Sequence, residues 1–207
     1  MKKFIRFSAI LLIGIICLAC RRVCAQDSGY AHYTSADTAL NFSMDYINGW
    51  EFNESRGDYG AYAQVVFNAP QARRADFRAG IIVTVEDSAK TFIGASTLEE
   101  FMNGVIELRK KLKGFQEVSR SNEKLLDEDA RVFDCSYNIP DRLRGVAVGL
   151  IPVREKIAVA RKNGRFYTVR YLETEADFYE YAPAFSHILQ SLRLQDAATV
   201  NGPAARE

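Results

Sequence analysis

Lys156–Tyr171 reads KIAVARKNGRFYTVRY, two β-branched and aromatic runs either side of Asn163-Gly164. An Asn-Gly pair between such runs is the strongest short signal for a two-residue hairpin, because both residues tolerate positive φ. Strands joined by so short a turn pair antiparallel. Further runs lie upstream, at Phe42–Met44, Trp50–Phe52, Ala63–Asn68, Gly80–Glu86, Arg131–Tyr137 and Gly145–Val153. In Arg131–Tyr137 the apolar Phe133, Cys135 and Tyr137 alternate with Asp134 and Ser136, the mark of a strand with one wet face. Most of this chain is therefore antiparallel sheet.

Two helices interrupt the strands. Thr97-Leu98-Glu99-Glu100 has the form of a capping box, followed by Leu98, Phe101, Met102, Val105, Leu108 and Leu112 at helical spacing. Gly114 stands where a left-handed cap ends such a helix. Arg109, Lys110, Lys111 and Lys113 crowd that end, as solvated cations complementing the helix dipole. The second helix carries Phe178, Tyr181, Ala182, Phe185, Ile188, Leu189 and Leu192 on one face, and Pro183 predicts a kink or a short first turn. Sheet plus covering helices makes an α+β domain.

The N-terminus is an export signal. Lys2, Lys3 and Arg6 precede the apolar run Ala9–Ala19, and Val23-Cys24-Ala25 offers small residues for cleavage. Two processing routes fit: cleavage after Ala25 (signal 1–25), or cleavage before Cys20 (signal 1–19), which would then carry lipid. The product is periplasmic or secreted, and meets a membrane only through that anchor. Five of the 27 basic residues, and no acid, fall in the first 25, so Gln26 onward holds 22 against 26 acidic, a formal −4. A mildly acidic chain argues against nucleic acid as the partner. We expect 26–38 as a flexible lead-in, one domain over 39–195 and a flexible tail over 196–207.

The segments Phe42-Ser43-Met44-Asp45-Tyr46 with Asn48-Gly49-Trp50-Glu51, Val65-Val66-Phe67, Ile81–Val85, the Thr97 helix, Arg165–Tyr171 and Phe185…Leu192 resemble the PsbP-like domains, named for an extrinsic lumenal subunit of photosystem II. The resemblance covers roughly residues 40–195. It implies an antiparallel sheet sandwiched between helices, an α/β/α arrangement. It also implies a non-enzymatic protein that binds other proteins, the photosynthetic members helping to hold calcium and chloride. The residues agree on chemistry: His32 lies in the lead-in, His187 beside an apolar helix face and Cys135 on the apolar side of a strand, so no catalytic constellation is visible.

The expected role is thus an exported accessory protein docking on an envelope protein partner. Candidate docking residues lie in two connections: Tyr59 and Tyr62 in Asn53–Tyr62, and Arg73 and Arg74 in Asn68–Arg78. The alternatives are an envelope chaperone or transport accessory, which would need Phe101, Met102 and Phe185 open in a groove, and a photosystem-type role with weak calcium association. For calcium, Asp127, Glu128 and Asp129 are the densest acids, although three adjacent acids cannot all face one ion from a regular strand. No other cofactor is expected.

Overall fold

The computed structural model describes residues 29–57, 60–70, 77–91, 93–143 and 145–195. Contacts divide the chain after Tyr30, and the unit from Ala31 onward is the folded domain. Ten strands are β1 (Tyr30–Thr34), β2 (Phe42–Ile47), β3 (Glu51–Arg56), β4 (Tyr62–Asn68), β5 (Gly80–Asp87), β6 (Gln116–Leu125), β7 (Glu128–Leu143), β8 (Val146–Lys162), β9 (Arg165–Thr174) and β10 (Arg193–Leu194). The helices among the described residues are α1 (Leu98–Lys110) and α2 (Phe178–Ser191). Seven strands form one sheet in the order β3-β4-β5-β9-β8-β7-β6, every neighbouring pair antiparallel. A smaller sheet has the order β1-β2-β10.

The hairpin that opens the sequence reading closes as expected. Asn163 and Gly164 have φ of 50° and 73°, and Lys162 pairs with Arg165. β9 lies centrally and is buried on both faces, Tyr167, Val169 and Tyr171 pointing one way and Phe166 and Leu172 the other. On the first face they meet Phe178, Phe185 and Ile188 of α2 together with Phe42 and Met44 of β2. On the second, with Phe133, Ile157 and Val159, they meet Phe101, Met102 and Ile106 of α1. The large sheet is thus covered by a helix on each face, and the face under α2 is shared with the small sheet.

The capping box of α1 forms in both directions: the Glu100 N–H donates to Thr97 Oγ1 at 3.2 Å, and the Thr97 N–H donates to Glu100 Oε2 at 3.1 Å. The helix stops at Lys110, one turn short of Gly114. Gly114, at φ 71°, instead reverses the chain into β6, where the Asn138 N–H donates to the Lys113 carbonyl at 2.8 Å. Leu112 consequently lies beyond the helix and is exposed. α2 runs unbroken through Pro183. Proline at that position removes one intrahelical donor, and the packing of Phe178 and Phe185 into the core on either side keeps the helix whole.

Three readings are corrected. Residues 30–34, expected in the lead-in, form β1, where Tyr33 is buried and its hydroxyl donates to Glu54 Oε1 at 2.5 Å. Asn53–Arg56, expected as a connection, belong to β3. The two strands expected at Gly145–Val153 and Lys156–Lys162 are one, because Arg154 and Glu155 between them are paired inside the fold.

Candidate functional site

Along β8 the side chains of Val153, Glu155, Ile157 and Val159 face α1. Glu155 is fully buried among them, where a lone carboxylate would be strongly disfavoured. It is answered on every side: Arg109 Nε donates to Oε2 at 2.5 Å and Arg109 Nη2 to Oε1 at 3.1 Å, Arg170 Nε donates to Oε1 at 2.6 Å, and the Tyr137 hydroxyl donates to Oε2 at 3.0 Å. Burial pushes the carboxyl pKa up, but the Arg170 and Arg109 guanidinia outweigh it and hold it below the usual range. So Arg109 is no solvated helix-end cation: it points inward and closes the α1 side of a buried ion cluster. A carboxylate wrapped in this way is a poor general base, since its lone pairs are spent. The neighbouring Cys135 is a buried free thiol whose pKa burial pushes up to about 12, far from that of a nucleophile.

The two histidines come together, which sequence spacing gave no reason to expect. His32 Nδ1 lies 2.9 Å from Asp45 Oδ1 and His187 Nε2 lies 3.2 Å from Asp45 Oδ2. One carboxylate thereby ties β1, β2 and α2, and the Asp45 N–H donates to Ser191 Oγ at 3.0 Å. Hydrogen bonding from His32 lowers the Asp45 pKa against the opposing effect of burial, and His187 adds to it.

Of the expected acids, Asp127 lies in the β6–β7 turn with φ 65°, while Glu128 and Asp129 begin β7. Lys124 Nζ contacts Asp129 Oδ1 at 2.7 Å and Lys162 Nζ contacts Glu128 Oε1 at 3.4 Å. Among the described residues, no group of three or more His, Cys, Asp or Glu side chains is arranged to hold a metal ion. Tyr59, Arg73, Arg74 and Cys20 lie outside the described residues. Tyr62 heads β4 opposite Glu86 and is half-buried, a strand residue and not a loop one. Phe101, Met102 and Phe185 are core.

The exposed apolar surface lies elsewhere. The β8–β9 register ends at Val153↔Thr174 and the β6–β7 register at Gln116↔Ser136, whereas β7 and β8 continue together to Leu143↔Val146. Beyond Ile139 and Ile151, which still pack in the α1-side core, Pro140–Leu143 and Val146–Leu150 therefore form a two-stranded arm that extends past the neighbouring strands. On it Val146, Val148 and Leu150 are 66%, 59% and 42% exposed. Gly145–Val153 holds no charged residue, and an exposed, uncharged strand edge is what soluble proteins usually avoid. At the root of the arm Arg154 donates to Asp134 at 2.9 and 2.8 Å and to the hydroxyl of Tyr179 at 2.8 Å, and its guanidinium lies 4.5 Å from the Phe178 ring centre. Tyr179, 71% exposed, is thereby held in place beside the arm.

No protein-family model matches the chain, and no curated protein matches it in sequence. Among solved structures, the cyanobacterial PsbP of Synechocystis sp. PCC 6803 is similar over 83% of this chain and 95% of its own, at 13% identity and a TM-score of 0.53. That likeness, with the sheet and two covering helices, shows a PsbP-like α+β fold. LpqN, involved in cell envelope biogenesis of Mycobacterium tuberculosis, is similar over 83% of this chain and 94% of its own at 13% identity, with a TM-score of 0.46. A Pseudomonas aeruginosa protein of unknown function is similar over 87% of this chain and all of its own at 14% identity, with a TM-score of 0.45. These two are weaker likenesses and carry no weight for fold or function. Among the described residues no helix is long and apolar enough to cross a membrane.

Proposed function

Given a PsbP-like fold, which fixes no activity, we propose that this chain is a non-catalytic accessory protein that works outside the cytoplasm and docks on an envelope protein through the β7–β8 arm. One observation carries the reading: Val146, Val148 and Leu150 are exposed on a strand whose outer edge no described strand pairs beyond Val153. An extended segment of a partner can add to such an edge through main-chain hydrogen bonds, with alternate side chains giving specificity. Tyr179 and Arg154, of residue types favoured at interface centres, lie at the arm's root. The reading of residues 1–25 as an export signal supports the location. The reading does not call on calcium, Asp129 and Glu128 being ion-paired with Lys124 and Lys162. It also does not extend to sheltering apolar segments in a helix groove, because Phe101, Met102 and Phe185 are core.

The test is photocrosslinking in the native host, with the reactive group placed at Val148 and, as a control, at exposed Lys90, near the β8–β9 turn at the opposite end of β8. The expected result is one dominant partner captured from Val148 alone, and lost when Val146, Val148 and Leu150 are changed to Thr. Equal capture from both positions, or capture unchanged by the triple substitution, overturns the proposal.

A further inference from the structure

The two outer edges of the β7–β8 arm are not alike. Pro152 marks where the β8 edge opens: its carbonyl accepts the Glu175 N–H at 3.0 Å, so it turns towards β9. Leu150, two residues further out, turns its N–H and carbonyl the same way. Pro140 stands opposite Leu150, so it turns to the β7 edge, where it has no N–H to offer. Charged Asp141 and Arg142 follow it, and proline and charge are what guard an edge. The β8 edge over Val146–Leu150 has neither, and no described strand pairs with it. Its one irregularity is a bulge at Val148, where Asp141↔Gly149 gives way to Arg142↔Ala147. Leu143↔Val146 closes the arm beyond it, which leaves Ala147 and Leu150 as the residues whose main-chain groups face outwards.

Charge is graded along the arm. Its outer end, Asp141–Arg144, has two arginines against one aspartate. Its middle is uncharged. At its root, residues 173–180 hold Glu173, Glu175, Asp177 and Glu180 and no base, and the neighbouring Arg154 is already held by Asp134. Glu175 and Glu180 are exposed, as is Arg142. An apolar edge that is cationic at one end and acidic at the other is complementary to itself turned end for end.

We propose that the β8 edge pairs with the same edge of a second copy of this chain, antiparallel, about a two-fold axis at the Val148 bulge. Such an axis sets residue i against residue j and j against i. Leu150 of each copy then bonds through its main chain to Ala147 of the other, the two bulges face each other on the axis, and pairing stops short of Pro152. Arg142 of each copy is carried towards Glu175 of the other, so the charge contact forms twice. This goes beyond docking on an envelope protein: both occupants take the same edge, so the dimer must open before the arm docks. The seam is short, which puts the interface in the weak, transient class below about 1,200 Å².

The experiment is sedimentation velocity on the chain from Gln26 onward, which holds the whole folded unit from Ala31, at about 5 to 500 µM. The expected result is a reversible monomer–dimer equilibrium within that range. Val148→Lys sets two ammonium groups at the axis and should abolish the dimer; Val148 is exposed, so the Tm should hold. Arg142→Glu and Glu175→Lys each oppose like charges and should each weaken the dimer about tenfold. Combining them restores opposite signs and should bring the dissociation constant back to within about threefold of the parent. The inference is overturned by a chain that stays monomeric up to about 500 µM, by a dimer that Val148→Lys leaves intact, or by a double variant no tighter than either single one. A monomeric chain that still captures one envelope protein from Val148 overturns this inference and leaves the docking reading standing. A dimer of the expected behaviour that captures none supports this inference and overturns the docking reading.

Discussion

Arg109 and Glu155, 46 residues apart in the chain, form a two-pronged ion pair across the α1–sheet interface, with the carboxylate wholly buried and the guanidinium nearly so. Removing Glu155 strands both guanidinia, whereas without Arg109 the carboxylate keeps Arg170 and the Tyr137 hydroxyl. Glu155→Gln should therefore destabilise the protein by about 3 kcal/mol, and Arg109→Met by less. The double variant should lose less than the sum. Urea unfolding of the three variants checks this, and a loss below about 0.5 kcal/mol for either single change would show the pair to be energetically neutral.

Acid should act through Asp45 and Glu155. Both are held below their ordinary carboxyl values in the folded protein. The folded state thus binds fewer protons than the unfolded chain, and their contribution is complete above the unfolded pKa of about 4 and fades as pH falls through the folded values. Asp45→Asn should lower stability at pH 7, and its difference from the parent should shrink steadily as pH falls from about 4 towards 2. Denaturant midpoints measured across that range test it. A difference that persists unchanged in acid would mean that packing, not the histidine contacts, makes Asp45 matter.

Cys135 should be silent in the native state. With its pKa near 12 and its sulfur sealed in the α1-side core, it should resist a thiol reagent at pH 8 and react fully once unfolded. Labelling kinetics over a denaturant series would then report global opening. Fast native labelling would place the thiol at a surface.

The arm should govern solubility without governing the fold. Changing Val146, Val148 and Leu150 to Thr retains β-branching at the first two sites, gains it at the third, and breaks up an exposed apolar strand. We expect a higher solubility limit with stability changed by no more than about 0.5 kcal/mol, the usual range for exposed sites. A large fall in Tm would show the arm to be part of the core.

Legibility tracked local pattern. The β8–β9 hairpin, β5 and the capped start of α1 carry their signals within a few residues: Asn163-Gly164, the GIIVTVE run and the Thr97–Glu100 box. β6 carries none. Its sequence QEVSRSNEKL has no alternation because it is an edge strand almost wholly exposed on both faces, so burial never selected a pattern. β1 was hidden for a related reason: only Tyr33 of YAHYT is buried. The site is harder still, because Arg109, Glu155 and Arg170 come from α1, β8 and β9. A charged residue in the middle of β8 reads locally as a strand end, and only the tertiary pairing shows it to be interior. The segment 146–150 was legible as a strand, but nothing in its own letters says that β9 stops before reaching it.

β8 is a single strand of 17 residues, long enough to run from the β8–β9 turn to the tip of the arm. At about 3.3 Å per residue that is over 50 Å of one continuous ribbon. Its inner half is clamped between two neighbours, and among the described strands its outer half is braced by β7 alone. Whatever meets the tip meets a stiff blade, not a loop that must first be ordered. In the proposed role docking is then a rigid-body event, with a pull on the arm borne by the same strand that carries Glu155.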